Sequence, residues 1–195
     1  MAAGRPLLVL VTGPPASGKT TIARELARRL EIPAFHKDDF KERLGDEIPG
    51  STLEWSQRLG AASYRALYHV GQSLLEAGLS VLLEANFHPE LSLPDLRAFA
   101  SDADVAQVVC RADPDVLMYR YRNRYTSHGR HHVHLSADAH GAGYLEAAFR
   151  RDHRLDLAGL TLACDTTGGE LVDAGALANE IRQWADSRRA DVATS

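Results

Sequence analysis

Eight consecutive residues, Gly13, Pro14, Pro15, Ala16, Ser17, Gly18, Lys19 and Thr20, fit the spacing G-x-x-x-x-G-K-[ST]. Glycines let the chain curl until successive amides point inward. A helix that follows adds the positive end of its dipole, so the segment is suited to a polyphosphate. Lys19 then holds the β- and γ-phosphates, Thr21 continues the nucleotide-binding run, and the hydroxyl of Thr20 is offered to Mg²⁺. That hard cation shares its shell between protein oxygens, nucleotide oxygens and water.

A phosphate loop leaves open where the γ-phosphoryl group goes. Transfer to a hydroxyl needs a carboxylate that orients the acceptor and takes its proton. Asp38, in the run His36 to Phe40, is the candidate base, while Asp39 caps the helix that begins there. Glu84 follows an apolar run and is the candidate carboxylate for the magnesium shell, partly through water, with contact to the substrate hydroxyl as its other role. Asn86 and His88 follow on the same loop and line the acceptor pocket. Tyr119 to His134 brings Arg120, Arg122, Arg124 and Arg130 into a Gly-containing stretch that reads as a lid over about 119–140. Arginine on the γ-phosphate stabilises charge on the transferring group. Arg120 and Arg124 share a helical face if helix persists and Arg122 does not; Arg120 is a candidate contact to the nucleotide, and spacing leaves open which of Arg122, Arg124 and Arg130 is catalytic.

The histidines His128, His131, His132 and His134 invite a zinc reading, yet no cysteine or carboxylate completes a characteristic spacing, so hydrogen bonds to phosphate or substrate suit them better. Trp55, Tyr64 and Tyr68 recur at helical spacing; Trp55 and Tyr64 are candidates for the acceptor surface against the alternative of plain core. Cys164 to Gly169 ends a strand, and Thr166 in it is a candidate contact to the nucleotide base.

These groups must be carried by an alternation of short apolar strands and amphipathic helices. Strands are predicted at 7–11, 32–36, 80–85, 105–110 and 160–165. Helices are predicted at 19–30, 39–44 with a stop at Gly45, 51–77 ended by Gly78, from Pro94, 113–123, 145–153 and 174–187, with a frayed tail over 188–195. The alternation predicts one three-layer α/β domain over 1–195 with a mainly parallel five-stranded sheet.

Composition agrees. The 195 residues are 45% hydrophobic and 25% charged, which excludes disordered, collagen-like and disulfide-scaffold classes. The formal net charge of −4 provides no global field toward nucleic acid or anionic lipid. Cys110 and Cys164 end apolar runs and read as buried thiols of a reducing cytoplasm. No stretch approaches the ~20 apolar residues that span a bilayer.

Taken together, GPPASGKTTIARELA, HKDDFKERL, SVLLEANFHP, the Arg-rich lid and the terminal DTT loop resemble the small P-loop kinases related to polynucleotide 5'-hydroxyl kinase, chloramphenicol phosphotransferase and zeta toxin. The resemblance implies sheet order 2-3-1-4-5 with helices on both faces and a helical lid. It also implies Asp38 as the base, Lys41 as the basic residue after the aromatic, and a lid arginine on the phosphates. Where these families commonly end the third strand in Asp, this chain has Glu84, and it carries no phosphatase or nucleic-acid-binding extension in its 195 residues. The expectation is an ATP- and Mg²⁺-dependent kinase that phosphorylates a hydroxyl of a small molecule, a metabolite, sugar-like compound or antibiotic. A polynucleotide or tRNA 5'-hydroxyl kinase and a nucleotide-binding switch or partner-binding ATPase are the alternatives; oligomeric state is not legible.

Overall fold

The computed structural model describes residues 5–127, 130–168 and 172–193. Five strands, β1 (Leu7–Thr12), β2 (Ala34–His36), β3 (Val81–Glu84), β4 (Asp104–Arg111) and β5 (Leu160–Asp165), form one sheet in the order β2-β3-β1-β4-β5. Every pairing is parallel. β1 is buried at all six positions, as a central strand covered on both faces must be, and this explains why its sequence does not alternate.

One face of the sheet is covered by α1 (Lys19–Leu30) and α7 (Ala174–Ala193), where Val9, Val11, Ile22, Leu26, Val108 and Ile181 pack together. The other is covered by α3 (Leu53–Glu76) and α4 (Pro89–Ala100), through Leu8, Leu10, Leu67, Leu83, Phe87 and Leu96. Thr52 caps α3 by accepting from the Trp55 amide at 3.1 Å. Two further helices stand over the carboxyl edge of the sheet: α5 (Pro114–Ser127) and α6 (Tyr144–Arg150). Between them, a short 3-10 turn spans Ala137–His140. This top layer contains the expected lid; His128 and Gly129 lie outside the described residues, as does Gly169 of the terminal loop.

Several boundaries differ from expectation. The helix α2 (Lys37–Glu47) does not stop at Gly45. That glycine is buried inside the helix because Val133 packs onto it, and a Cβ there would overlap the Val133 side chain. α4 begins at Pro89, which occupies the first turn where a missing N–H costs nothing, and Pro94 lies within the helix. α6 ends at Arg150, so His153 lies beyond it in irregular chain. β2 starts at Ala34 rather than at residue 32, and α7 runs on to Ala193 instead of ending near residue 187. No helix among the described residues is long and apolar enough to cross a membrane.

Candidate active site

In a parallel sheet all strands end at one edge, so the residues that close β1, β2, β3 and β5 converge there. The phosphate loop leaves β1 at Gly13, whose φ of 148° only glycine adopts readily and whose Cβ would run into the Cys110 carbonyl. Gly18 caps α1 at φ 77°, and Ala16 also takes a left-handed φ of 65° while buried, so the loop is tightly wound. Inside it, Lys19 donates to the Pro14 carbonyl at 3.3 Å, and the Ser17 hydroxyl is buried without a protein partner. Burial lowers the pKa of Lys19, against the opposing pull of Glu84 and Asp38.

Glu84 closes β3 directly beside this loop and is 4% exposed, so its partners decide what it can do. Thr20 donates its hydroxyl to Glu84 Oε2 at 3.2 Å, Lys19 Nζ is 4.0 Å from Oε1, and His36 Nδ1 is 2.9 Å from Oε2. A hydroxyl and a carboxylate meeting at the mouth of a phosphate loop are the hard oxygen donors that Mg²⁺ takes, and the orphaned Ser17 hydroxyl faces the same need for an oxygen-rich ligand. His36 is the residue that sequence reasoning passed over. It closes a strand of only three residues, and its signal is positional: β2 pairs with β3 so that His36 and Glu84 are register partners.

Asp38 sits in the first turn of α2 at the floor of a cleft, with about half of its side chain (53%) open to it. Burial opposes its charge, but Lys37 at 3.1 Å, His134 and Lys19 outweigh that and hold the carboxyl well below the usual range. Lys41 is buried and donates to the Ser56 hydroxyl at 2.8 Å, which in turn donates to the Val133 carbonyl at 2.8 Å. This chain of bonds ties α2 and α3 to the lid. Burial, and then the charge of Lys37, push the Lys41 pKa down to about 8.

The lid arginines separate by position. Arg124 and Arg130 line the cleft with Lys19 and Asp38, and Arg130 lies 5.5 Å above the Tyr121 ring. Arg120, one turn earlier on the same face of α5, donates to the Thr166 hydroxyl at 3.0 Å and its carbonyl at 2.7 Å, while that hydroxyl donates to the Ser17 carbonyl at 3.1 Å. Arg120 and Thr166 therefore clamp the loop after β5 onto the phosphate loop. Arg122 is exposed and lines no part of the cleft, because two residues of helix turn it away from the face of Arg120 and Arg124.

A second compartment of the same cleft, about 290 Å³, lies between Asp38, Glu84, Tyr64, Asn86 and His88 on one side and α6 with the segment after it on the other. Tyr64 donates to the Asn86 carbonyl at 2.7 Å and fixes that loop, whereas Tyr68 is core. Trp55 is not brought to the cleft: its indole donates to the Ile48 carbonyl at 3.0 Å and its ring stacks on His132 at 5.9 Å. Asp39 is exposed and supplies no capping bond to α2. Of the lid histidines, His134 bonds Glu42 at 2.8 Å and His131 bonds Asp46 at 3.0 Å. The fold thus supplies beside His131 and His132 a carboxylate, Asp46, that spacing did not reveal.

The AAA domain family model AAA_33 matches residues 8–145. Among solved structures, a "putative kinase" from Chloroflexus aurantiacus is 35% identical with a TM-score of 0.85, covering 92% of this chain and 98% of that one. The APS kinase of Mycobacterium tuberculosis, in complex with AMPPNP and APS, shares the fold at 20% identity and a TM-score of 0.59, covering 94% of this chain and 99% of that one. A shikimate kinase of Corynebacterium efficiens is 36% identical over 77 residues, a match of 38% of this chain and only 43% of that enzyme's length. With the phosphate loop, the five-stranded parallel order and the family match in agreement, the chain belongs to the AAA_33 family of AAA domains and has the fold of the small P-loop kinases.

Proposed function

We propose that the chain is an ATP- and Mg²⁺-dependent kinase that transfers the γ-phosphoryl group to a hydroxyl of a small molecule, with Asp38 as the group that receives the proton. The observation that carries this reading is the convergence, around one cleft, of Lys19, Arg124 and Arg130 with the Asp38 carboxylate, next to a separate compartment of about 290 Å³. The phosphate loop and Lys19 hold the β- and γ-phosphates, and Arg124 and Arg130 neutralise charge on the transferring group. Thr20 and Glu84 would hold Mg²⁺, Glu84 partly through water, and the ion supplies charge neutralisation on the phosphates. His36 keeps the Glu84 carboxylate turned to that position. The Arg120–Thr166 clamp supports the base side of the nucleotide.

Asp38 is a weak base, because the cations around it stabilise its charged form. That suits a loose transition state: the acceptor hydroxyl is oriented by the carboxylate, and its proton moves to Asp38 only as the new O–P bond forms. The relatives named as shikimate and APS kinases support a small acceptor, as does the size of the compartment, which is at the small end of ligand sites. The test is transfer from γ-labelled ATP with Mg²⁺, offered in parallel to sugars, hydroxy acids, nucleosides, hydroxylated antibiotics and a 5'-hydroxyl oligonucleotide. Label on a small molecule is the expected result. Label on the oligonucleotide alone, or only in free phosphate, overturns it.

A further inference from the structure

The acceptor compartment holds more unmet polar capacity than a plain hydroxyl requires. Asn86 Oδ1, His88 Nδ1 and His153 Nδ1 are all buried without a hydrogen-bond partner, and all three residues line this one cavity. A buried polar atom left unpaired is costly, and three around one cavity describe a surface shaped for a ligand bearing several hydrogen-bonding groups. His153 is held by its Nε2 on the Ala148 carbonyl at 3.1 Å, and burial lowers its pKa, so it is neutral near pH 7 and contributes hydrogen bonding rather than charge.

The charges in the compartment do not cancel. Lys19 faces Glu84 at 4.0 Å, and Lys37 faces Asp38 at 3.1 Å while lying 5.5 Å over the Tyr64 ring. Arg151, just beyond α6, lines the same cavity and has neither a hydrogen bond nor an ion pair to any described residue. Arg151 and its neighbour Arg150 are both exposed, but only Arg151 lines the cavity. One cation without a protein partner among the described residues thus lines the same cavity as the unsatisfied polar atoms and Asp38.

Resting on the kinase reading above, we infer that the acceptor is a small polyhydroxylated monoacid, whose carboxylate is read by Arg151 while its hydroxyls meet Asn86 and His88 and one of them is presented to Asp38. The Asp38 carboxylate repels an acid group at the reacting end, so the same two charges fix the direction in which the acid enters. A neutral sugar of equal size makes no charge-assisted contact with Arg151.

The experiment uses the full chain with ATP and Mg²⁺, and matched pairs: gluconate with glucitol, glycerate with glycerol, and shikimate and quinate with their methyl esters. Phosphorylated product is read by mass spectrometry, and binding of each compound by its shift of the melting temperature in the presence of a non-hydrolysable ATP analogue. At least one acid is expected to be a substrate, or to raise the melting temperature, at roughly tenfold lower concentration than its neutral partner. For that acid, Arg151→Gln raises KM by about 10-fold or more with a much smaller change in kcat, Arg151→Lys recovers part of the loss, and Arg150→Gln does not change KM. Neutral partners that work as well as the acids, or an Arg151→Gln loss equal for both, overturn the inference and leave the kinase standing. Silence of every acid in both readouts also overturns it. Failure of the kinase reading looks different: nucleotide binds, and no acceptor of any charge gains phosphate.

Discussion

His36 Nδ1 stands 2.9 Å from Glu84 Oε2, across two strand ends that are register partners in the sheet. The same carboxylate oxygen accepts from Thr20 at 3.2 Å, so β2, β3 and the phosphate loop meet at one atom. A carboxylate held from two sides by donors has one orientation, and an orienting partner of this kind typically matters to metal affinity nearly as much as the ligand does.

His36→Ala is therefore expected to raise the Mg²⁺ concentration needed for half-maximal phosphoryl transfer by about 10-fold, with Glu84→Gln more severe. A magnesium titration of the rate at saturating nucleotide checks this. An unchanged magnesium requirement in both variants would remove Glu84 from the metal shell.

Asp38→Asn is expected to lower kcat by about 10²–10⁴-fold while nucleotide affinity holds, since the variant keeps the shape of the side chain and loses the proton acceptor. Because Lys37, His134 and Lys19 outweigh burial and depress the Asp38 pKa, its charge persists as pH falls through the ordinary carboxylate range. The pH profile of kcat/KM should then show no ionisation of Asp38 between about pH 5 and 8. Equal loss of rate and nucleotide binding would contradict the assignment.

Stability should rise with pH through the alkaline range because of Lys41. Its folded-state pKa, near 8, lies below the ~10.4 of an exposed lysine, so between those values the unfolded chain binds more protons than the folded one. Urea midpoints should accordingly climb from about pH 8 to about pH 10, and Lys41→Met should flatten that climb. A midpoint that falls over this range in the parent chain and not in Lys41→Met would reverse the sign.

Gly45→Val is expected to unseat the lid, because the new side chain takes the space that Val133 occupies against α2. Overpacking of this kind costs about 1–3 kcal/mol. Limited proteolysis of the lid, compared with the parent chain, measures the loosening, and a higher KM for the acceptor should accompany it. A lid as resistant as the parent's would show that Val133 is not what docks it.

The local signals in this sequence were strong where chemistry and backbone geometry coincide. Gly13, Gly18, Lys19 and Thr20 need their spacing to make the loop at all, and the apolar runs of β1, β3, β4 and β5 are too short for helices and too continuous for exposed strands. With the family resemblance they carried the α/β class, the place of the glycine-rich loop between β1 and α1, the sheet order and the carboxylates at the strand ends. The tertiary structure decided what depends on partners distant in the chain. Gly45 reads as a stop until Val133, 88 positions later, fills the space above it, and Trp55 reads as a pocket aromatic until Ile48 and His132 engage it. Arg120, Arg122 and Arg124 are alike in sequence, but helix rotation turns Arg122 to solvent, and one turn of height along the shared face gives Arg120 to Thr166 and Arg124 to the cleft. His36 and Arg151 carry no motif: strand register delivers one to Glu84, and the path of the chain after α6 delivers the other to the cavity beside Asp38. Spacing along a chain constrains backbone conformation and helical face; charge pairing and cavity walls are made by residues that only folding brings within a few ångströms.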